Sequence, residues 1–279
     1  MQMKHACVIG WPIEHSRSPL IHGHWLERYN IDGSYTKVAV RPEETEDFLR
    51  DLAGKGYSGC NVTVPLKELA FAAADCHTPE AVAVGAANTI WLEDGKIHAT
   101  NTDTYGFMKH LDAEAPGWDK SDKPVVILGA GGAARAICFG FQQAGVNDIV
   151  ILNRTTERAQ KLAEELPGGN IRVAAWDDRT NCPEWASVIV NTTTLGMKGS
   201  GDLGLDFSSA NPDCVVADIV YVPLQTDLLQ QAQAQGLRTV DGLGMLLHQA
   251  VPGFERWFGV RPEVTPELRR VILDDLGAN

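Results

Sequence analysis

Short apolar runs, each bounded by glycine, proline or small polar residues, recur along this chain and alternate with stretches of helix-forming composition. In the first third, strand-like runs at 7–10, 35–40 and 59–64 alternate with helical stretches from Ser18 to about residue 29, over 42–53 and over 66–74. Ser18 followed by Pro19 reads as a helix start. A hairpin comes next, with arms 88–92 and 97–100 around Glu93-Asp94-Gly95-Lys96, and Asn101-Thr102-Asp103 heads a helix to about residue 111. The alternation then resumes, with strands at 125–128, 149–152, 171–175, 187–191, 215–220 and 238–240. Helices are predicted after residue 130, over 158–166, over 226–235 and after Asp241-Gly242-Leu243-Gly244. A last amphipathic stretch, 262–276, predicts a helix that packs back on the N-terminal half.

Such alternation predicts an α/β fold with parallel sheets, in which ligands sit beyond the carboxyl ends of the strands. In the first half those ends lead into the loop with Ser16 and Ser18 and into Pro65-Leu66-Lys67. Asn61 and Thr63 are two residues apart and share one face, leaving Val62 and Val64 for the core. Lys67 falls in the first turn of a helix, where the macrodipole disfavours a cation, so it either faces a substrate or is a solvated surface lysine. Asp103 is compatible both with an N-cap and with a carboxylate presented to a ligand. The stretch 112–124, with Pro116, Gly117 and a run of charges, reads as an exposed connector. The expected organisation is a first domain of 1–102 with 243–279, a linker region at 103–123 and a second domain at 124–242.

Residues 125–155 carry the most informative chemistry. Val125-Val126-Ile127-Leu128 breaks into Gly129-Ala130-Gly131-Gly132-Ala133-Ala134, a Gly-x-Gly-x-x-Ala turn between a buried strand and a helix. Unpaired N–H groups and the helix dipole make such a turn a pyrophosphate cradle. Where a site for NAD carries an acidic residue on the second strand, this chain has Asn153-Arg154-Thr155. A guanidinium there can pair with a 2′-phosphate, so the expected cofactor is NADP(H). Thr192, Thr193 and Thr194 put small polar groups at the end of the strand near 187–191, where the nicotinamide half should lie.

Composition narrows the partners. The 279 residues are 44% apolar and 22% charged, with a formal net charge of −12, which argues against nucleic acid because a phosphate backbone demands a basic surface. No apolar run approaches a membrane span, the N-terminus leads directly into a strand-like run, and a cytoplasmic protein is expected. Six cysteines and eight histidines are scattered without metal-ligand spacing, so reduced, mostly buried thiols and no metal are expected.

With these motifs in order, the chain resembles the shikimate dehydrogenases, within the shikimate/quinate dehydrogenase family. The resemblance runs through Gly10-Trp11-Pro12-Ile13-Glu14-His15-Ser16-Arg17-Ser18-Pro19, Asn61-Val62-Thr63-Val64-Pro65-Leu66-Lys67, Asn101-Thr102-Asp103, Gly129 to Ala136, Asn153-Arg154-Thr155, and 242–250. It implies an N-terminal αβα substrate domain, a Rossmann-type NADP-binding domain, and reversible NADP-linked reduction of 3-dehydroshikimate to shikimate in aromatic amino-acid biosynthesis. Carried over residue by residue, Lys67 and Asp103 would be the catalytic pair. Ser16 and Ser18 would hold the substrate carboxylate with Tyr221 near that end, and Asn61, Thr63, Asn88, Asp103 and Gln249 would meet the ring hydroxyls. The cofactor set would be Gly129, Ala130, Gly131, Gly132, Ala133, Asn153, Arg154, Thr155, Thr192, Thr194, Ile219, Gly242 and Met245. Three positions depart from the usual family pattern: Thr104 in place of glycine, Leu66 in place of an aromatic or histidine, and Thr193-Thr194 where Ala/Thr-Ser is common.

Hydride delivery to a ketone builds negative charge on its oxygen, and a lysine can supply the proton if a carboxylate orients it. Either Lys67 is the acid/base with Asp103 orienting it, or Lys67 stabilises the oxyanion while Asp103 relays the proton. Two other functions fit the same residues, a broader quinate/shikimate dehydrogenase and a non-catalytic sensor of shikimate-like ligands. The substrate-sized partner is common to all, and monomer and homodimer both remain open.

Overall fold

The structure is a computed structural model that describes residues 4–198 and 200–277. It divides into two compact units, one formed by residues up to Asp103 together with 247–277, the other by 104–246.

The first unit opens with β1 (Lys4–Gly10), α1 (Ser18–Arg28), β2 (Gly33–Ala39), a 3₁₀ turn at Pro42–Glu44, α2 (Thr45–Arg50), β3 (Tyr57–Val62) and α3 (Lys67–Ala73). It continues through β4 (Cys76–His77), α4 (Pro79–Val84), β5 (Thr89–Glu93) and β6 (Lys96–Thr100). The sheet order is β2-β1-β3-β5-β6-β4. It is parallel from β2 through β1 to β3, and antiparallel where the β5–β6 hairpin joins β3, so a mixed sheet replaces the expected parallel one. Asp94 and Gly95, both with positive φ, close the hairpin.

Several expectations change here. The helix expected over 42–53 is shorter because Glu44 turns back to accept the Arg41 N–H, winding the start into a 3₁₀ turn. Ser18 is the first helical residue and not the cap; Arg17 holds the cap position, and no side chain caps this helix. β3 ends at Val62, so Val64 leaves the sheet and is 70% exposed instead of joining the core. Neither α4 nor β4 was expected, although Thr78-Pro79 carries the cap signal: the Thr78 hydroxyl accepts the Ala81 N–H.

The second unit takes α5 (Asp103–Glu114) from its second residue on, and a 3₁₀ turn at Trp118–Lys120. It then winds through β7 (Val125–Leu128), α6 (Gly132–Gln143), β8 (Ile149–Leu152), α7 (Thr156–Glu165), β9 (Ile171–Ala174), α8 (Cys182–Trp185), β10 (Val188–Asn191), β11 (Val215–Asp218), α9 (Asp227–Ala234) and β12 (Arg238–Val240). All pairings are parallel in the order β12-β11-β10-β7-β8-β9. That is the doubly wound order of a Rossmann fold, which reverses between β7 and β10. The four residues of β7, β8, β10 and β11 are all buried, as a sheet covered on both faces requires. The stretch 112–124 is less exposed than expected: the indole of Trp118 packs edge-on against Phe141 and donates to Asp112.

Helix α10 (Gly242–Phe258) gives its first residues to the second unit and the remainder to the first, followed by α11 (Pro266–Leu276), capped by Thr265. In the first unit these segments pack back through an aromatic cluster of His22, Trp25, Tyr35, Phe254 and Trp257. The Trp25 indole donates to the Glu263 carbonyl and the Trp257 indole to the Ile90 carbonyl, each at 2.9 Å, while Arg17 pairs with Asp275 at 3.0 Å. Among the described residues no helix is long and apolar enough to cross a membrane.

Candidate active site

In the first unit, a polar network forms where β3, β5 and β6 hand over to the following segments. Lys67 is the first residue of α3 and its ammonium lies 2.8 Å from Asp103 Oδ2. Lys67 is therefore not a solvated surface lysine; the carboxylate compensates the unfavourable helix dipole. The other carboxylate oxygen, Asp103 Oδ1, accepts the Asn88 side-chain amide at 2.8 Å. Both oxygens of the Asp103 carboxylate are thus engaged by side chains, Lys67 on one and Asn88 on the other.

Asn88 is the hub of this network. Its Oδ1 accepts three donors, the Thr89 hydroxyl at 3.0 Å, the Thr102 N–H at 2.9 Å and the Thr102 hydroxyl at 3.0 Å. The Asp103 N–H in turn donates to Asn101 Oδ1 at 3.0 Å, and Asn101 Nδ2 donates to the Ala86 carbonyl at 3.1 Å. Asn61 donates through Nδ2 to the Asn88 carbonyl and the Thr89 hydroxyl, both at 3.1 Å, and its Oδ1 accepts the Tyr35 hydroxyl at 2.6 Å. Each buried polar group here is matched, which fixes the geometry of the pair at its centre.

Ser16 and Ser18 form a second group, their hydroxyls 3.3 Å apart with the Ser18 N–H directed at Ser16 Oγ. Thr63 is half-buried just past β3, and Gln249 is half-buried on α10. The structure thus joins Asn61, Lys67, Asn88 and Asp103 by hydrogen bonds, while no bond among the described residues ties Gln249 to them. Tyr221 belongs to the second unit, half-buried beyond β11. Asn101, Thr102, Thr89 and Tyr35 support the site without having been singled out for it. Of the departures noted in the sequence, Leu66 is fully buried core, and the Thr104 hydroxyl donates to the Ala136 carbonyl at 2.8 Å.

In the second unit, the turn after β7 is built from backbone. Gly129 has φ of +111°, and a Cβ there would lie 2.6 Å from Thr192 Oγ1, so the residue must be glycine at the point where the strand order reverses. The Thr192 hydroxyl itself donates to the Leu128 carbonyl at 2.7 Å. Gly131 caps α6 with no side-chain bond to its first N–H groups, and a Cβ on Gly131 or Gly132 would meet no protein atom within 4 Å. A diphosphate therefore fits against this helix start, with Ala130 and Ala133 beside it. Arg154 at the end of β8 is exposed and makes no ion pair among the described residues, and Asn153 Nδ2 donates to the Thr155 carbonyl at 2.7 Å.

Beyond β10 and β11, a buried carboxylate organises the loops. Asp218 Oδ1 accepts Asn191 Nδ2 at 2.9 Å and the Val220 N–H at 3.0 Å, and Oδ2 accepts the Thr226 hydroxyl at 2.7 Å. Burial outweighs these bonds and raises its pKa to about 6. The next residue, Ile219, approaches the start of α10 so closely that a Cβ on Gly242 would sit 2.3 Å from the Ile219 carbonyl oxygen. Met245 is buried one turn on, and Thr194 is exposed beyond β10.

Three family profiles match: the shikimate dehydrogenase substrate binding domain over 8–90, shikimate / quinate 5-dehydrogenase over 113–196, and the shikimate 5′-dehydrogenase C-terminal domain over 242–266. The chain is 51% identical over 276 residues to the shikimate dehydrogenase (NADP(+)) of Azorhizobium caulinodans, covering 99% of this chain and 98% of that one. Among solved structures it resembles shikimate 5-dehydrogenase from Thermus thermophilus in complex with NADP(H) and shikimate, with a TM-score of 0.85 at 33% identity over 98% of this chain and all of that one. It also resembles quinate dehydrogenase from Corynebacterium glutamicum in complex with NAD, with a TM-score of 0.89 at 27% identity over 98% and 99% of the two chains. A full-length match at this identity, with three family profiles in order along one chain, makes this protein a member of the shikimate dehydrogenase family.

Proposed function

We propose that this protein catalyses the reversible reduction of 3-dehydroshikimate to shikimate with NADP(H). The observation that carries the chemistry is the Lys67–Asp103 pair, 2.8 Å apart and braced by Asn88. Family membership selects the substrate and cofactor, because relatives that share half of the sequence carry that activity in their names.

In the reduction, Lys67 Nζ gives a proton to the substrate oxygen that gains the negative charge, and in the oxidation it takes that proton back. Asp103 holds the Lys67 amino group in line and favours its protonated form, so the neutral amine left by the reduction takes up a proton again. Ser16 and Ser18 donate to the substrate carboxylate, with Tyr221 towards the same end. Thr63 and Gln249 meet the ring hydroxyls together with Asp103. Asn61 and Asn88, whose amides already serve the protein, contribute above all by holding these groups at fixed distances.

NADP(H), when bound, supplies or accepts the hydride. Ala130, Gly131, Gly132 and Ala133 offer backbone N–H groups to its diphosphate, on the turn that Gly129 makes while its own N–H bonds the Leu152 carbonyl. Arg154, with Asn153 and Thr155, recognises the 2′-phosphate. Thr192, Thr194, Ile219, Gly242 and Met245 shape the nicotinamide side. The reaction belongs in the cytoplasm, where the six cysteines remain free thiols.

Initial rates for shikimate and quinate, each with NADP⁺ and NAD⁺, test this reading. Shikimate with NADP⁺ should give the highest kcat/KM; quinate with NAD⁺ as the best combination, or no turnover with any, would overturn it.

A further inference from the structure

Tyr35 lies on β2, away from every motif that marks the site, yet its hydroxyl meets a residue assigned to the substrate. It donates to Asn61 Oδ1 at 2.6 Å. From Tyr35 the donors run in one direction, to Asn61 and on through the Asn61 amide to the Asn88 carbonyl and Thr89. Only one amide orientation satisfies all three Asn61 bonds.

The ring is held as firmly as the hydroxyl. His22 stacks on it at 3.9 Å between centroids and 7° between planes, and is itself closed in by Trp25, Phe254 and Trp257. His22 has no exposure, and neither ring nitrogen has a well-formed hydrogen bond among the described residues. Burial lowers its pKa to about 3, an effect that the neighbouring Asn61 side chain only softens. It is thus a neutral wedge. Burial also raises the Tyr35 phenol well above its ordinary pKa, so the hydroxyl keeps the proton it donates.

We infer that Tyr35 is a positioning residue: its phenol, wedged against His22, holds the Asn61 amide in one orientation and so sets how tightly a hydroxylated ring is bound, without touching the proton-transfer pair. The inference rests on the substrate assignment proposed above. If that assignment fails, the unmodified protein shows no shikimate turnover; if only this one fails, the unmodified protein is active and Tyr35→Phe behaves like it.

Tyr35→Phe keeps the ring on His22 and removes only the hydroxyl. The shikimate KM should rise about 10-fold, the order of one buried hydrogen bond, with kcat and the KM for NADP⁺ each within about 2-fold of the unmodified protein. In an Asn61→Ala background the same change should raise KM less than about 3-fold, because its main target is gone. An unchanged KM, a fall in kcat with KM constant, or an undiminished effect in the Asn61→Ala background would each overturn the inference. Should Tyr35→Phe fail to fold, 3-fluorotyrosine at position 35 takes its place: the same shape with a more acidic donor should shift the shikimate KM and leave kcat alone, and no shift counts against Tyr35.

Discussion

The two halves of the molecule build their candidate functional groups from different materials. Around Lys67 and Asp103, the bonds are made by side chains, and the Asn88 side chain receives three donors while giving one. Around Gly129 to Ala133, side chains withdraw: the helix start carries no side-chain cap, Gly131 and Gly132 leave room, and Arg154, which we assign to the 2′-phosphate, stands exposed. The difference follows from what each half must do. A transferring proton needs a donor fixed to within fractions of an ångström, which a closed network provides. A diphosphate brings its own charge and shape, and needs N–H groups and space.

The contrast breaks most visibly at Lys67. Lys67→Ala should lower kcat about 10²- to 10⁴-fold, the range for one group in general acid–base catalysis, while NADP⁺ affinity from a fluorescence titration stays within about 2-fold. Turnover near that of the unmodified protein would remove Lys67 from the chemistry. A matching loss of NADP⁺ affinity would show that the two halves are not separable in the way their construction suggests.

Arg154 tests the other half with a smaller effect. Arg154→Asp replaces the cation with a charge that repels a 2′-phosphate, so the KM for NADP⁺ should rise about 10- to 100-fold while that for NAD⁺ changes little. Equal losses for the two cofactors would mean that Arg154 supports the turn without reading the phosphate. A single exposed side chain deciding cofactor choice is what a backbone-built site predicts.

The same division explains what could be read along the chain. In the nucleotide half, β7 and β8 fall where the apolar runs place them, because strands buried on both faces are continuous apolar segments with glycine or polar residues at their ends. The Gly-x-Gly-x-x-Ala turn is local, so its spacing alone shows its role. The substrate half is less legible. Ser16, Ser18, Asn61, Lys67 and Asp103 were found through family motifs, but their mutual arrangement depends on contacts remote in sequence. Tyr35 reaches Asn61 across 26 positions, and Lys67 reaches Asp103 across 36. No periodicity reports such pairs. Val64 shows the converse error: alternation placed it in the core, yet the strand stops two residues earlier and the side chain turns outward.

Asp218 gives the smallest effect and refines the contrast, since it is a closed network inside the half otherwise built from backbone. It differs from Asp103 in its donors: Asp103 has a lysine, whereas Asp218 has only the neutral groups of Asn191, Val220 and Thr226. Neutral donors do not offset the cost of burying the charge, and its pKa stands near 6 against an ordinary 3.8. The folded state therefore binds the proton more tightly than the unfolded chain. The resulting stabilisation is complete below the unfolded pKa and is lost as pH rises through about 6. Between pH 5 and 6.5 this one group should make the unfolding free energy fall by about 1 kcal/mol as pH rises. Asp218→Asn removes the titration, so urea unfolding across that range should give a pH slope smaller by that amount, whatever the variant's absolute stability. Equal slopes for the two proteins would mean that the three donors hold Asp218 ionised, and that a carboxylate needs no cation to stay charged in this core.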